Sequence, residues 1–214
     1  MRYLVSLLAG LVLLVACETK PKRLPILGNR EAVTKMVDGK EVIDTVYQTI
    51  PDFKFWNQDS AEISLHTYDG KIYIADFFFT TCPTICPKMK TQMLRVYQHF
   101  KGNSEVGFLS HTIDPKHDSV QVLHEYAKQL GITGNQWNLV WGDKEKIYEI
   151  GQKSYMVTAT EDSAQPGGIV HSGAFILVDK QKRIRGLYDG TEPESVDKLM
   201  KDMELLLTEY HPKQ

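Results

Sequence analysis

The sequence predicts an α/β domain: a central mixed sheet flanked by helices, with an N-terminal strand or hairpin extension. Three observations point there. Residues 72–79 read IYIADFFF, a nearly unbroken apolar run that suits a central strand buried on both faces. Stretches with apolar residues at helical spacing alternate with further strand-like runs. A pair of short strands followed by one long amphipathic segment then closes the chain.

Taken in order, residues 42–50 and 53–65 read as short, partly alternating strands, broken at Pro51 and Asn57. After the strand at 72–79, Met89, Met93, Val96, Tyr97 and Phe100 recur at helical spacing, with Pro87 where a first-turn proline is tolerated. Residues 106–113 form the next strand. A second helix is expected to open at Asp118, with Gln121 completing a capping box. Its face is Leu123, Tyr126, Ala127 and Leu130, and it stops at Gly131. A short strand at 139–141 leads into a short helix at 144–152, capped by Asp143. Strands at 174–179 and 183–188 pair across a turn at 180–182. The last helix is expected to open at Thr191, with Glu194 three residues on; its core face is Val196, Leu199, Met200, Met203, Leu206 and Leu207. Strand–helix–strand–helix, then a hairpin and a final helix, with a cysteine pair directly after the first central strand, is the thioredoxin-like pattern.

The chain has 214 residues, 42% hydrophobic and 24% charged, which is ample for one cored domain plus an extension. A formal net charge of −2, without a lysine or arginine run to meet phosphates, argues against nucleic acid. Three cysteines cannot make a disulfide scaffold, so their positions carry the meaning. Residues 1–16 read as a short signal: Arg2 supplies the positive end, and an apolar run follows that is too short to span a bilayer. It ends Leu14-Val15-Ala16-Cys17, which resembles the lipobox of bacterial lipoproteins, where the cysteine is lipidated and becomes the new N-terminus. The alternative is an ordinary secretory signal with an incidental cysteine. Residues 17–40, with Lys20, Pro21, Lys22, Arg23 and Pro25 early and no apolar periodicity, are expected as a lipid-anchored tether. Residues 41–214 are then the folded domain. The compartment expected is a bacterial cell envelope, with the domain outside the cytoplasm, where disulfides persist.

The stretch FFFTTCPTICPKM places Cys82 at the end of the buried strand and Cys86 at or just before a helix N-terminus. Backbone N–H groups and the helix dipole favour a thiolate there. A spacing of four lets two sulfurs share one side of the first turn, close enough to hold a metal or to oxidise together. This is Cys-x3-Cys, one residue longer than the usual thioredoxin redox motif. A small structural disulfide is the plainer reading.

CPTICP after an aromatic strand, IDPKHDS after the next strand and VHSGAFILVD near the end resemble the Sco/SenC family, over roughly residues 50 to 210. The resemblance implies a thioredoxin-fold copper chaperone serving the copper-bearing subunit of cytochrome c oxidase and its dinuclear CuA centre. It also implies a ligand set: Cys82 and Cys86 match the family's thiolate pair, and His171 matches its distant histidine. Two soft thiolates suit Cu(I), and an added imidazole makes a site that also accepts Cu(II). His171 follows Ala164-Gln165-Pro166-Gly167-Gly168, a stretch able to swing a ligand in and out. The chain departs from the family pattern at Val170, and at Thr84 and Ile85, where the family often carries an Asp. Fewer acidic neighbours bear on affinity and redox poise rather than on ligand identity.

Asp76 lies six residues before Cys82, at the offset of the buried aspartate of thioredoxins, where a carboxylate relays protons during thiol–disulfide exchange. Its plainer reading is a strand-end Asp reaching solvent or a lysine. His66, His99, His111, His117, His124 and His211 read as surface or strand residues, His111 as a satisfied structural histidine. Met89 and Met93 read as core. Three functions stay open: a copper chaperone, favoured by His171; a thiol–disulfide oxidoreductase using Cys82 and Cys86, favoured by Asp76; and a copper or redox sensor.

Overall fold

A computed structural model describes residues 23–161 and 169–211, with the backbone alone at 159–161 and 169–171. The signal at 1–16, Cys17 and residues 162–168 of the expected swinging loop lie outside the described residues. The chain opens with a hairpin, β1 (Arg30–Val37) and β2 (Lys40–Tyr47). Then come β3 (Lys54–Asn57), β4 (Glu62–Ser64), a 3-10 turn (Leu65–Tyr68), β5 (Ile72–Phe78) and α1 (Cys86–His99). β6 (Val106–Thr112), α2 (Val120–Gln129), β7 (Trp137–Trp141) and α3 (Lys144–Lys153) follow. β8 (Ala159–Glu161) and β9 (Ile169–His171) pair with each other. β10 (Ala174–Val178), β11 (Ile184–Asp189) and α4 (Pro193–Tyr210) end the domain.

Seven strands form one mixed sheet in the order β11-β10-β5-β6-β7-β3-β4. β5, β6 and β7 are parallel; β10, β11, β3 and β4 join antiparallel. Every residue of β5 and β6 is buried, as the unbroken apolar run requires of a strand covered on both faces. Residues alternate between those faces. Asp76 and Ser110 face α1 and α2, together with Cys86, Met89 and Tyr126. Phe77 and His111 face the other side, with Phe53, Phe55 and Tyr155.

Several expectations are corrected. The stretch expected as tether up to residue 40 already contains β1, and residues 24–27 are docked before it: Leu24 and Leu27 pack on the core, and the Leu27 N–H bonds the Ile184 carbonyl. α2 starts one residue later than expected. Ser119 is its N-cap and accepts the Val122 N–H at 3.3 Å, because Asp118 is buried and engaged elsewhere. α4 opens at Pro193 after Glu192; Thr191 instead bonds Asp189 in the preceding turn. Asp143 caps α3 as expected, through the Lys146 N–H. The β8–β9 hairpin had no signal in the periodicity.

Candidate metal centre

β5 ends at Phe78, so Cys82 sits in a turn beyond the strand rather than at its end, with its N–H on the Phe79 carbonyl at 3.3 Å. Cys86 is the first residue of α1. Pro87 follows in the first turn, and the N-cap Ile85 offers no side-chain cap. The leading N–H groups of the helix therefore face the cysteine loop. Both cysteines are buried thiols.

The two thiols are unlike. Burial by itself would raise Cys82. Hydrogen bonds from the Cys86 thiol, from the backbone N–H groups of Cys86 and Thr84, and from the Thr84 hydroxyl at 3.6 Å outweigh it and hold Cys82 below the ordinary thiol range. Burial first, and then the hydrogen bond to Cys82, push Cys86 far above that range, and the nearby Asp76 adds to the effect. One sulfur is disposed to be the thiolate and the other to keep its proton.

Asp76 does not reach solvent. Burial pushes its carboxyl up to about 7, partly offset by the Ser110 hydroxyl, which donates to Oδ1 at 2.5 Å and accepts the Trp137 indole N–H at 2.9 Å. Asp76, Cys86, Ser110, Met89, Tyr126 and Trp137 line one cavity of about 20 Å³, enough for a single water. Met89 and Met93 are core residues behind the dithiol, as expected.

Asp118 is the functional residue that sequence reasoning misplaced. Fully buried, it accepts the Thr80 N–H at 3.0 Å, the Thr80 hydroxyl and the Thr112 hydroxyl at 2.6 Å. Its carboxylate thus fastens the segment two residues before Cys82 to the end of β6. The signal that could have found it is the DPKHDS turn, whose own backbone closes through the Asp118 N–H on the Asp114 carbonyl.

His171 closes β9 opposite Ala159 of β8, and the next residue, Ser172, donates its N–H to the Thr158 carbonyl at 3.0 Å. Gly190 N–H bonds the Gly173 carbonyl at 2.7 Å, and a Cβ placed on Gly173 would stand 3.8 Å from Ile85 Cδ1. The strand carrying His171 therefore ends two residues before Gly173, whose backbone lies beside Ile85 of the cysteine loop. The His171 side chain lies outside the description. Among the described residues no group of three or more His, Cys, Asp or Glu side chains is assembled to hold a metal. The two thiols alone suit a soft d¹⁰ ion of low coordination number.

His111 departs from expectation. It is wholly buried, and neither ring nitrogen has a hydrogen-bond partner. It stacks on Phe77 at 4.7 Å, amid Phe53, Phe55 and Tyr155, on the face away from the dithiol. Burial lowers it to about 3; the nearby Asp76 backbone pulls the other way, but no hydrogen bond of normal geometry joins it to the ring. His66, His99, His117, His124 and His211 are surface residues beside carboxylates.

A sequence model of the SCO1/SenC family matches residues 43–208. A Stutzerimonas stutzeri protein provisionally named as copper-binding is 29% identical over 146 residues, covering 65% of this chain and 68% of that one. A SCO1/SenC family lipoprotein from Bacillus anthracis superposes with a TM-score of 0.68 at 26% identity, over 75% of this chain and 95% of its own. BsSco, described as a member of the Sco family of cytochrome c oxidase assembly proteins with a disulfide switch, superposes with a TM-score of 0.62 at 27% identity, over 73% and 93%.

Proposed function

Because the chain belongs to the SCO1/SenC family, we propose that it is a membrane-anchored copper-binding protein assisting assembly of the CuA centre of cytochrome c oxidase. Cys82 and Cys86 supply two thiolates, His171 the third ligand, and copper is cargo handed to the copper-bearing subunit. The observation that carries this reading is the pair of unlike thiols, Cys82 in the turn before α1 and Cys86 at its first residue, at the family's motif. The lowered thiol is the more easily deprotonated of the two, and metal binding displaces the protons that the pair still holds. The relatives described as copper-binding and as an oxidase assembly protein support the cargo and the acceptor. Lipidation of Cys17, loss of residues 1–16 and a place on the outer side of a bacterial membrane complete the reading. The Bacillus anthracis relative, itself described as a lipoprotein, supports the anchor.

The test is metal binding by the reduced protein. One Cu(I) is expected per chain, dependent on Cys82 and Cys86. Cu(II), with strong thiolate-to-metal absorption, is expected to need His171 as well, since a borderline ion gains from a nitrogen donor. His171→Ala should spare Cu(I) and weaken Cu(II). An unchanged Cu(II) spectrum and affinity in that variant would sink the three-ligand site.

A second reading, thiol–disulfide oxidoreductase, is favoured by Asp76. In it the Cys82 thiolate attacks a substrate disulfide, forms the mixed disulfide and releases one substrate thiolate. Cys86 then passes its proton through the small cavity to the Asp76 carboxylate and attacks Cys82, releasing the second.

A further inference from the structure

The segment that enters the domain, residues 24–27, is held by a buried ionic clasp. Arg185 is 4% exposed. Its Nη2 donates to the Leu24 carbonyl at 2.7 Å and to Glu209 Oε2 at 2.8 Å, and its Nε donates to the Pro25 carbonyl at 3.0 Å. Nη1 reaches the fully buried Asp179 at 3.2 Å. Glu209 accepts the Leu24 N–H at 2.7 Å, and Leu27 donates to the Ile184 carbonyl at 2.8 Å. A buried guanidinium is costly unless its donors are satisfied, and here two of them are given to backbone carbonyls. Those carbonyls belong to a segment that is neither strand nor helix.

The sheet gives this clasp a definite pole. Val178 is in register with Ile184 on one side and with Tyr73 on the other, which places the clasp level with Tyr73 on β5. Phe78, where the strand ends toward the dithiol, is five residues further along. At about 3.3 Å per residue the two poles are at least roughly 17 Å apart. α4 agrees, since it starts beside the Asp189 turn at the dithiol pole and brings Glu209 to the clasp at its other end.

We propose that the Arg185–Glu209 clasp fixes where the membrane tether leaves the domain, so that the dithiol is held facing away from the bilayer. The inference rests on the lipid anchor at Cys17. Cys17 and Leu24 are seven residue steps apart, at most roughly 25 Å of extended chain. With the domain upright the dithiol then stands at least about 17 Å above the membrane surface, and about 42 Å or more when the tether is fully extended. The partner that fits is a folded extrinsic domain whose own soft metal ligands stand at that height, not a group at headgroup level. Without the clasp, residues 24–28 would join the tether and the domain would turn freely.

The experiment uses the full-length lipoprotein in phosphatidylcholine vesicles carrying a lipid energy acceptor. A donor fluorophore is introduced as an unnatural amino acid at exposed Lys88, two residues after Cys86, or at exposed Lys101, ahead of β6 at the clasp's pole of the sheet. Transfer from position 101 is expected to exceed transfer from position 88. The excess should vanish in Arg185→Gln, and shrink in the double variant Leu24→Pro, Leu27→Pro, which removes the N–H groups donated to Glu209 and to the Ile184 carbonyl and leaves the buried ions paired. Equal transfer from both positions in floating wild-type protein would overturn the clasp while sparing the anchor. So would an excess that survives in both variants. Protein that fails to float with the vesicles would reject the anchor, and this inference with it.

Discussion

Ser110 and His111 are neighbours on β6, equally buried, on opposite faces of one sheet, and they are treated oppositely. Ser110 is bonded on both sides, to Asp76 and to Trp137, and stands next to Cys86. His111 has an aromatic enclosure and no partner for either nitrogen. The dithiol face keeps a charge-capable group and satisfies it, whereas the far face keeps a polar ring and leaves it unsatisfied. The difference teaches that burial alone does not mark a chemical group; burial with a bonded route to the nucleophile does.

The two faces also carry opposite pH dependences. Asp76 is raised from 3.8 to about 7. Between those values the folded state keeps a proton that the unfolded chain has lost, so its contribution is present below about 4 and is lost as pH rises toward 7. His111 is lowered from 6.5 to about 3. Between those values the unfolded chain binds a proton that the folded state refuses, so its contribution is lost as pH falls below 6.5. From about pH 4 to 6.5 the two slopes, each roughly 1.4 kcal/mol per pH unit, oppose each other.

The largest break in this comparison is Asp76→Asn. Denaturant melts at pH 8 should show a gain approaching roughly 4 kcal/mol, since a buried carboxylate no longer ionises. Below pH 6.5 the uncovered His111 slope should make the variant lose stability as pH falls. Disulfide exchange with a small thiol substrate should slow at neutral pH while copper binding changes little. Exchange at the wild-type rate would reduce Asp76 to a structural role.

Next in size is Asp118→Ala, on the dithiol face. It leaves the Thr80 N–H and two hydroxyls unmatched, for a loss of roughly 3 kcal/mol. It should also loosen the cysteine loop, so that alkylation loses its preference for Cys82 over Cys86. Asp118→Asn, which still accepts at one oxygen, should recover part of that preference. An unaltered ratio of labelled cysteines in Asp118→Ala would mean that the loop is held by other contacts.

The smallest effect belongs to the far face. His111→Leu removes two unmatched nitrogens and should be neutral or stabilising by about 1 kcal/mol, with thiol reactivity and copper binding unmoved. Stability should then decline steadily from pH 4 to 7, with the Asp76 slope no longer opposed. Impaired metal or thiol chemistry in this variant would join the two faces.

Much of this was legible in the chain. IYIADFFF has no period because β5 has no exposed face, and Met89, Met93, Val96 and Tyr97 keep a period because α1 has one. Asp143 was readable as a cap, because its hydrogen bond is to its own helix. Asp118 was misread by the same rule: the buried Thr112 and the partly buried Thr80 compete for its oxygens, and Ser119 takes over the cap. Residues 24–27 looked like tether because their partners, Ile184, Arg185 and Glu209, are some 160 to 185 positions away.

Composition, periodicity and the cysteine spacing determined by themselves that a thioredoxin-like sheet would carry two thiols at the head of a helix. These are local properties, set by which side chains repeat along a strand or a turn. Only the tertiary structure decided that Cys82 is lowered and Cys86 raised, that Asp76 has Ser110 beside it while His111 has no partner, and that the entering chain is clasped at the pole opposite the dithiol. The reason is that hydrogen-bond satisfaction and desolvation depend on which groups meet across the fold. A buried carboxylate and an exposed one are the same letter in the chain.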